Sequence, residues 1–349
     1  MMESNNSSTE YTTFERDLSL TIGILLLVIS LATIIANALL LTAICYDPYK
    51  CLRNVPIVFV ANLAVADLLT GLAVDPLLAV YNFGIYRNKY YLRILLVSYF
   101  NAYLTVTNAV VTTVILIIDR SVAIKKPFLY RRVMTLKSAA IIVAISWIYS
   151  GFFCTIPLMG MSEKAYDLLD IHLHVTFSFF SLTLLFAFIY SNLKTEERQK
   201  LKEVTSMVNI DNATKQNIKR MKSDRRLLVT IFFILSFFFL TYSPYAVFIH
   251  LEYFCTSCNK SKFYYFLSKT SEPVVYLNSV LNPFIYAWRH QNFRRALRWV
   301  VNLLGRRRTN VRKYGTNRGT KTAKDRVVAG SRTNLSTREV SVSTSSFGL

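Results

Sequence analysis

Long uncharged runs alternate with short polar segments along the chain. Such runs extend from Leu18 to Tyr46, Ile94 to Ile118, Ser138 to Ser162, Ile171 to Leu193 and Leu227 to Leu251. Two further apolar stretches are interrupted, Val55 to Phe83 by Asp67 and Asp75, and Phe263 to Trp288 by Lys269 and Glu272. A bilayer's hydrocarbon core of about 30 Å needs roughly 20 apolar residues per helical crossing, and each stretch is long enough. Omitting the last would strand "VVYLNSVLNPFIYAW" as an apolar loop, which water does not favour. The pattern therefore predicts an all-α membrane protein, a seven-transmembrane helix bundle. After it, "RHQNFRRALRWVVNLL" puts Phe293, Ala296, Leu297, Val300 and Leu304 at helical spacing with Arg294, Arg295 and Arg298 on other faces, a helix for the membrane surface. The expected divisions are an extracellular N-terminus at 1–17, the bundle at 18–288, the amphipathic helix at 289–304 and a disordered, basic, Ser/Thr-rich cytoplasmic tail at 305–349.

Composition agrees with this reading. Of the 349 residues 53% are hydrophobic and 17% charged, and 10 Gly and 8 Pro leave the apolar runs unbroken, unlike an ordinary soluble domain. Of the 41 Lys and Arg, 33 follow the first, third, fifth and seventh helices. That bias puts those segments in the cytoplasm and the amino terminus outside. The net charge of +21 thus faces anionic inner-leaflet lipid rather than nucleic acid. The polar start "MMESNNSSTEYTTFERDLS" is not expected to act as a cleavable signal. Asn5, Asn6 and Asn259 begin outward glycosylation triplets.

Polar residues inside the apolar runs are the candidates for function, because a carboxylate facing lipid is costly. Asp67 has Asn37, Asn278 and Asn282 as partners at similar depth. The group suits Na⁺ or a proton, oxygen being the ligand of hard cations. It equally suits a network tying helices together, or an ion path in a heptahelical transporter or channel. Pro244 and Pro283 each remove a helical hydrogen bond, and Tyr286 lies one turn beyond the second. Asp119 and Arg120 end the third run. Asp224 lies twenty residues before Pro244, about 30 Å along a helix, so Arg120 is expected to pair with Asp119 and Asp224 at the inner ends of the third and sixth helices. The other reading is a solvated pair worth about 0–1 kcal/mol. Cys255 and Cys258 in "CTSC" can close a disulfide outside the cell or join His250 at zinc. With no metal-ligand or nucleophile constellation, an enzyme is not expected.

Asn37, "NLAVAD" with Asp67, "DRSVAIKKPF", Trp147, Tyr190, Phe238, Pro244 and "NSVLNPFIY" form an ordered set that resembles the rhodopsin-like (class A) G-protein-coupled receptors from about Leu18 to Leu304. The resemblance implies an extracellular ligand, a heterotrimeric G protein, no cofactor, and an allosteric Na⁺ at Asp67, Asn278 and Asn282. It implies that Arg120 is held by Asp119 and Asp224 at rest and freed when the sixth helix swings outward. Tyr190, Phe238, Tyr242, Pro244, Asn282, Pro283 and Tyr286 belong to that switch, Pro127 and Phe128 meet the G protein, and the phosphorylated tail recruits arrestin. The ligand cavity should be lined by Ala102, Tyr103, Tyr242, Ile249, Glu272 and Tyr276. Glu272 either binds a cationic ligand or pairs with Lys269. His172, His174 and His250 lie near the outer surface, where they either sense pH or stay passive.

The departures are as informative. Leu95 stands where the family has its bridging cysteine, Ser121 follows the arginine, Tyr242 replaces a tryptophan, Ala109 a serine of the sodium pocket, and the fifth helix has no proline. The missing bridge and the CxxC resemble the group of melanocortin, adenosine and cannabinoid receptors. Their ligand residues do not carry over: the adenine-binding asparagine falls at Ile249, and the acids for melanocortin peptides at Leu77, Leu95 and Tyr99. Ala102 replaces the aspartate of amine receptors and Tyr276 the lysine of opsins.

Overall fold

The computed structural model describes residues 13–49, 52–206, 212–258, 261–289 and 293–303, and every regular element among them is a helix. Helix α1 is Thr13–Tyr46, α2 Val55–Tyr86, α3 Leu92–Lys125 and α4 Leu136–Thr155. Helix α5 runs from Glu163 through Ser206, α6 is Asn212–Phe254, α7 Lys262–Arg289 and α8 293–303. A two-turn helix, Pro127–Val133, joins α3 to α4. Helix α1 begins at Thr13 rather than Leu18, with Glu15 in its first turn, where the helix dipole favours an acid. Among the described residues, six helices are long and apolar enough to cross a membrane. The seventh, α7, has the length but carries Lys269 and Glu272, the interruption already visible in its sequence.

Apolar side chains cover the outside as well as the core. Ile24, Val28, Leu31 and Ile35 of α1 and Ile141, Ile145 and Ile148 of α4 are exposed, whereas Leu26, Leu40, Phe59 and Leu63 are buried. An apolar exterior suits lipid, in which each helix satisfies its own backbone. Helices α1 and α2 approach closely at Gly71, whose carbonyl accepts from Ser30 Oγ at 2.8 Å and where a Cβ would lie 3.1 Å from Thr33. Asn62 joins three helices: it donates to Asn108 at 3.0 Å and Thr112 at 2.8 Å on α3, and accepts from Trp147 Nε1 of α4 at 2.7 Å.

The prolines are absorbed locally. Pro76 lacks a donor for the carbonyl one turn earlier, and the wide π turn Thr70–Val74 immediately precedes Asp75 and Pro76. Pro283 leaves the Ser279 carbonyl without its helical partner, and Asn37 Nδ2 of α1 donates to that oxygen at 3.1 Å. Ahead of Pro244, the Thr241 hydroxyl donates to the Phe237 carbonyl at 2.9 Å.

Helix α8 follows the amphipathic expectation where it is described: Phe293, Ala296 and Val300 are buried in one cluster with Tyr286, and Trp299 lies 5.9 Å from the Tyr46 ring. Cys255 and Cys258 form a disulfide between α6 and α7, Cα atoms 5.4 Å apart, which consumes the thiolates that the zinc reading required. Cys45 and Cys154 are free. Asn5, Asn6, Asn259 and the tail beyond 303 lie outside the described residues.

Candidate functional site

At the end of the bundle where α3 begins, α3, α5, α6 and α7 enclose a cavity of about 530 Å³ including its open mouth. Helix α3 contributes Tyr99, Ala102 and Tyr103, α6 Tyr242 and Tyr245, and α7 Glu272 and Tyr276. From α5 come Asp170, Ile171 and Val175. They reach the cavity because Glu163–Asp170 and the π turn Ile171–Thr176 start the helix ahead of the uncharged run that begins at Ile171. Tyr99 Oη donates to Glu272 Oε1 at 3.0 Å. Asp170 Oδ1 lies 2.7 Å from His174 Nδ1, and His174 Nε2 lies 2.7 Å from Tyr149 Oη. Asp167 has both oxygens occupied, by Tyr103 at 2.8 Å and Tyr253 at 2.6 Å.

Two expectations are corrected here. Ile249 is buried at 2% exposure and lies outside the cavity lining; its position on α6 turns it into packing. Lys269 and Glu272 make no close ion pair; the Lys269 ammonium lies over the Tyr81 ring at 5.6 Å and the Tyr265 ring at 5.7 Å and acts on Glu272 only through space. The other five expected lining residues do meet in the cavity. His172 and His250 face one another as rings 5.2 Å apart.

Below the cavity, Phe238 and Tyr242 stack at 4.5 Å and are buried with Val110 and Val275, so α3, α6 and α7 share one cluster. Deeper still, Asn282 Nδ2 donates to Asp67 Oδ2 at 2.9 Å. Among the described residues, Asp67 Oδ1 and Asn37 Oδ1 are buried with no hydrogen-bond partner, as are both oxygens of Asp75. Asn37 serves the α7 backbone rather than Asp67, donating to Thr33 O and Ser279 O. Asn278 is buried and makes no hydrogen bond to Asp67 among the described residues.

At the opposite end of α3, Asp119 is buried at 1% exposure. Arg120 Nε donates to Asp119 Oδ2 at 2.8 Å, and the guanidinium also contacts that oxygen through NH2. Tyr130, on the short helix after α3, closes a triangle: its hydroxyl donates to Asp119 Oδ1 at 2.8 Å and accepts from Arg120 at 3.0 Å. Burial first, and then the bond to Asp119, push the Tyr130 phenol up to about 12, so it stays protonated and able to donate. Tyr130 was missed because nothing in "PFLYRRV" marks a helix that folds back on α3. Asp224 lies in α6, but its side chain is outside the described residues, as is that of Pro127. Phe128 is 87% exposed, Tyr286 is buried, and Tyr190 is exposed, stacked on Phe186 at 6.3 Å.

Sequence comparisons agree with this geometry. A family model described as 7 transmembrane receptor (rhodopsin family) matches residues 36–286. The adenosine receptor A2a of Homo sapiens is 24% identical over 300 residues, covering 79% of this chain and 70% of that receptor; the Canis lupus familiaris protein of the same name matches to the same extent. The glucose-dependent insulinotropic receptor of Rattus norvegicus is 27% identical over 302 residues, covering 80% of this chain and 61% of that protein. None of these relatives supports the transporter reading of Asp67. With the family model spanning most of the chain, residues 36–286, the chain belongs to the rhodopsin family of 7 transmembrane receptors.

Proposed function

We propose that this receptor lies in the plasma membrane with its amino terminus and cavity outside, and that ligand in the cavity drives outward movement of α6 to admit a heterotrimeric G protein beside Arg120. The observation that carries this reading is that one helix, α3, lines the cavity at Ala102 and Tyr103 and carries the Asp119–Arg120–Tyr130 lock at its other end. Eighteen residues separate Ala102 from Arg120, about 27 Å of helix. The Phe238–Tyr242 stack next to Pro244 supplies the place where α6 can turn. Exposed Phe128 provides an apolar side chain for the G protein, and Asp224 adds its carboxylate to the lock. Lipid surrounds the bundle, and the phosphorylated tail attracts arrestin through added charge.

Sodium fits beside Asp67, where Asp67 Oδ1 and Asn37 Oδ1 are buried oxygens without hydrogen-bond partners. Together with Asn278 and Asn282 they would hold it, and the ion would supply positive charge favouring the resting arrangement. Asp67→Asn should remove any Na⁺ dependence of the melting temperature. Adenosine, named by the human relative, is not carried over, because Ile249 stands outside the cavity. The test of the receptor reading is nucleotide exchange on purified G proteins in membranes bearing the chain. Exchange above that of empty membranes is expected, and its absence with every G-protein class would overturn it.

A further inference from the structure

We infer that the cavity is built for an organic ligand with two positive centres, a diamine or a similarly dibasic molecule; this rests on the reading of the cavity as the ligand site. Two carboxylates line it from different walls, Asp170 on α5 and Glu272 on α7. Each has one oxygen committed, Asp170 Oδ1 to His174 and Glu272 Oε1 to Tyr99. The second oxygen of each has no hydrogen-bond partner among the described residues. Asp167, close by, is spent on Tyr103 and Tyr253. Among the described residues, no Lys or Arg lines the cavity.

The nearby lysines make no close ion pair with either acid. Lys164 donates to the Tyr253 carbonyl at 3.3 Å and lies over the Phe254 ring at 4.9 Å, and Lys269 lies over Tyr81 and Tyr265. Neither comes within ion-pair distance of Asp170 or Glu272. His174 stands against one oxygen of Asp170 and Lys269 acts on Glu272 only through space, so the second oxygen of each acid remains open to a guest in one low-dielectric space. Such a space concentrates cations and rejects anions. The remaining walls favour the same guest, because Tyr99, Tyr103, Tyr242, Tyr245 and Tyr276 present rings to which an ammonium is attracted. Ala102 stands where amine receptors place their aspartate, so recognition here comes from α5 and α7 instead.

The test uses the full-length receptor, purified in nanodiscs, with straight-chain α,ω-diamines of graded length, the matching monoamines and the matching neutral diols. Melting temperature is read against concentration. One diamine length should stabilise the receptor at a concentration about tenfold below its monoamine, and the diol should do nothing. Asp170→Asn and Glu272→Gln should each reduce that diamine to the monoamine's potency. Equal potency of diamine, monoamine and diol across the series would overturn the inference without any variant, and so would variants that fold but leave diamine potency unchanged. A diamine that stabilises the receptor yet leaves G-protein nucleotide exchange at its basal level would sink the signalling role and leave the ligand class standing.

Discussion

At the Arg120 end of α3, both oxygens of Asp119 are bonded and the guanidinium rests between a carboxylate and a phenol. At the cavity end, Asp170 and Glu272 each keep an oxygen free of protein partners, while the local lysines lie on aromatic rings. Neutralising a charge should therefore have opposite effects at the two ends. Where charge is matched it holds a conformation; where it is left over, stability is given up for recognition.

The largest expected effect is that of Asp119→Ala, which takes from Arg120 the buried carboxylate it is bonded to. Removing one partner of a largely buried ion pair costs about 3 kcal/mol, so melting should fall by several degrees and basal nucleotide exchange rise at least about tenfold. A stable, silent variant would break the comparison at this end. Tyr130→Phe removes one neutral donor, worth about 1 kcal/mol, and should raise basal exchange about fivefold. In the ligand-free receptor Glu272→Gln should act in the opposite sense, raising the melting temperature by an amount equivalent to about 0.5 kcal/mol. A fall would mean that the cavity carboxylate is already balanced. The smallest effect concerns pH. The Tyr130 phenol is raised to about 12, so its contribution is complete below the ordinary tyrosine value of about 10 and is lost only as pH climbs through about 12. The difference in basal exchange between wild type and Tyr130→Phe should stay constant from neutral to mildly alkaline pH, and a difference that shrank there would remove Tyr130 from the lock.

Much of this was legible in the sequence, for reasons that differ by region. The seven apolar stretches follow from the membrane's thickness, and Asp67 needed a partner in so apolar a setting, which Asn282 supplies. Asp119 and Arg120 are neighbours in sequence, so their pairing asked little of the fold. Tyr130 and Asp170 were illegible because each depends on a local turn: a short helix returning to α3 in one case, and α5 starting before its uncharged run in the other. Ile249 was assigned by register with other receptors, and the packing of α6 decided otherwise.

The wide turn Thr70–Val74 reaches further than its five residues. Asp75 follows Asp67 by eight positions, which in an uninterrupted α-helix would set it about 80° round the axis. Absorbing one extra residue makes the spacing nearly a heptad, within about 20° of alignment, and both carboxylates are accordingly inside. Deleting a single residue from that turn would swing the whole outer segment of α2 like a key in a lock. Relatives that lack the turn would then show a different set of side chains inward at equivalent alignment columns.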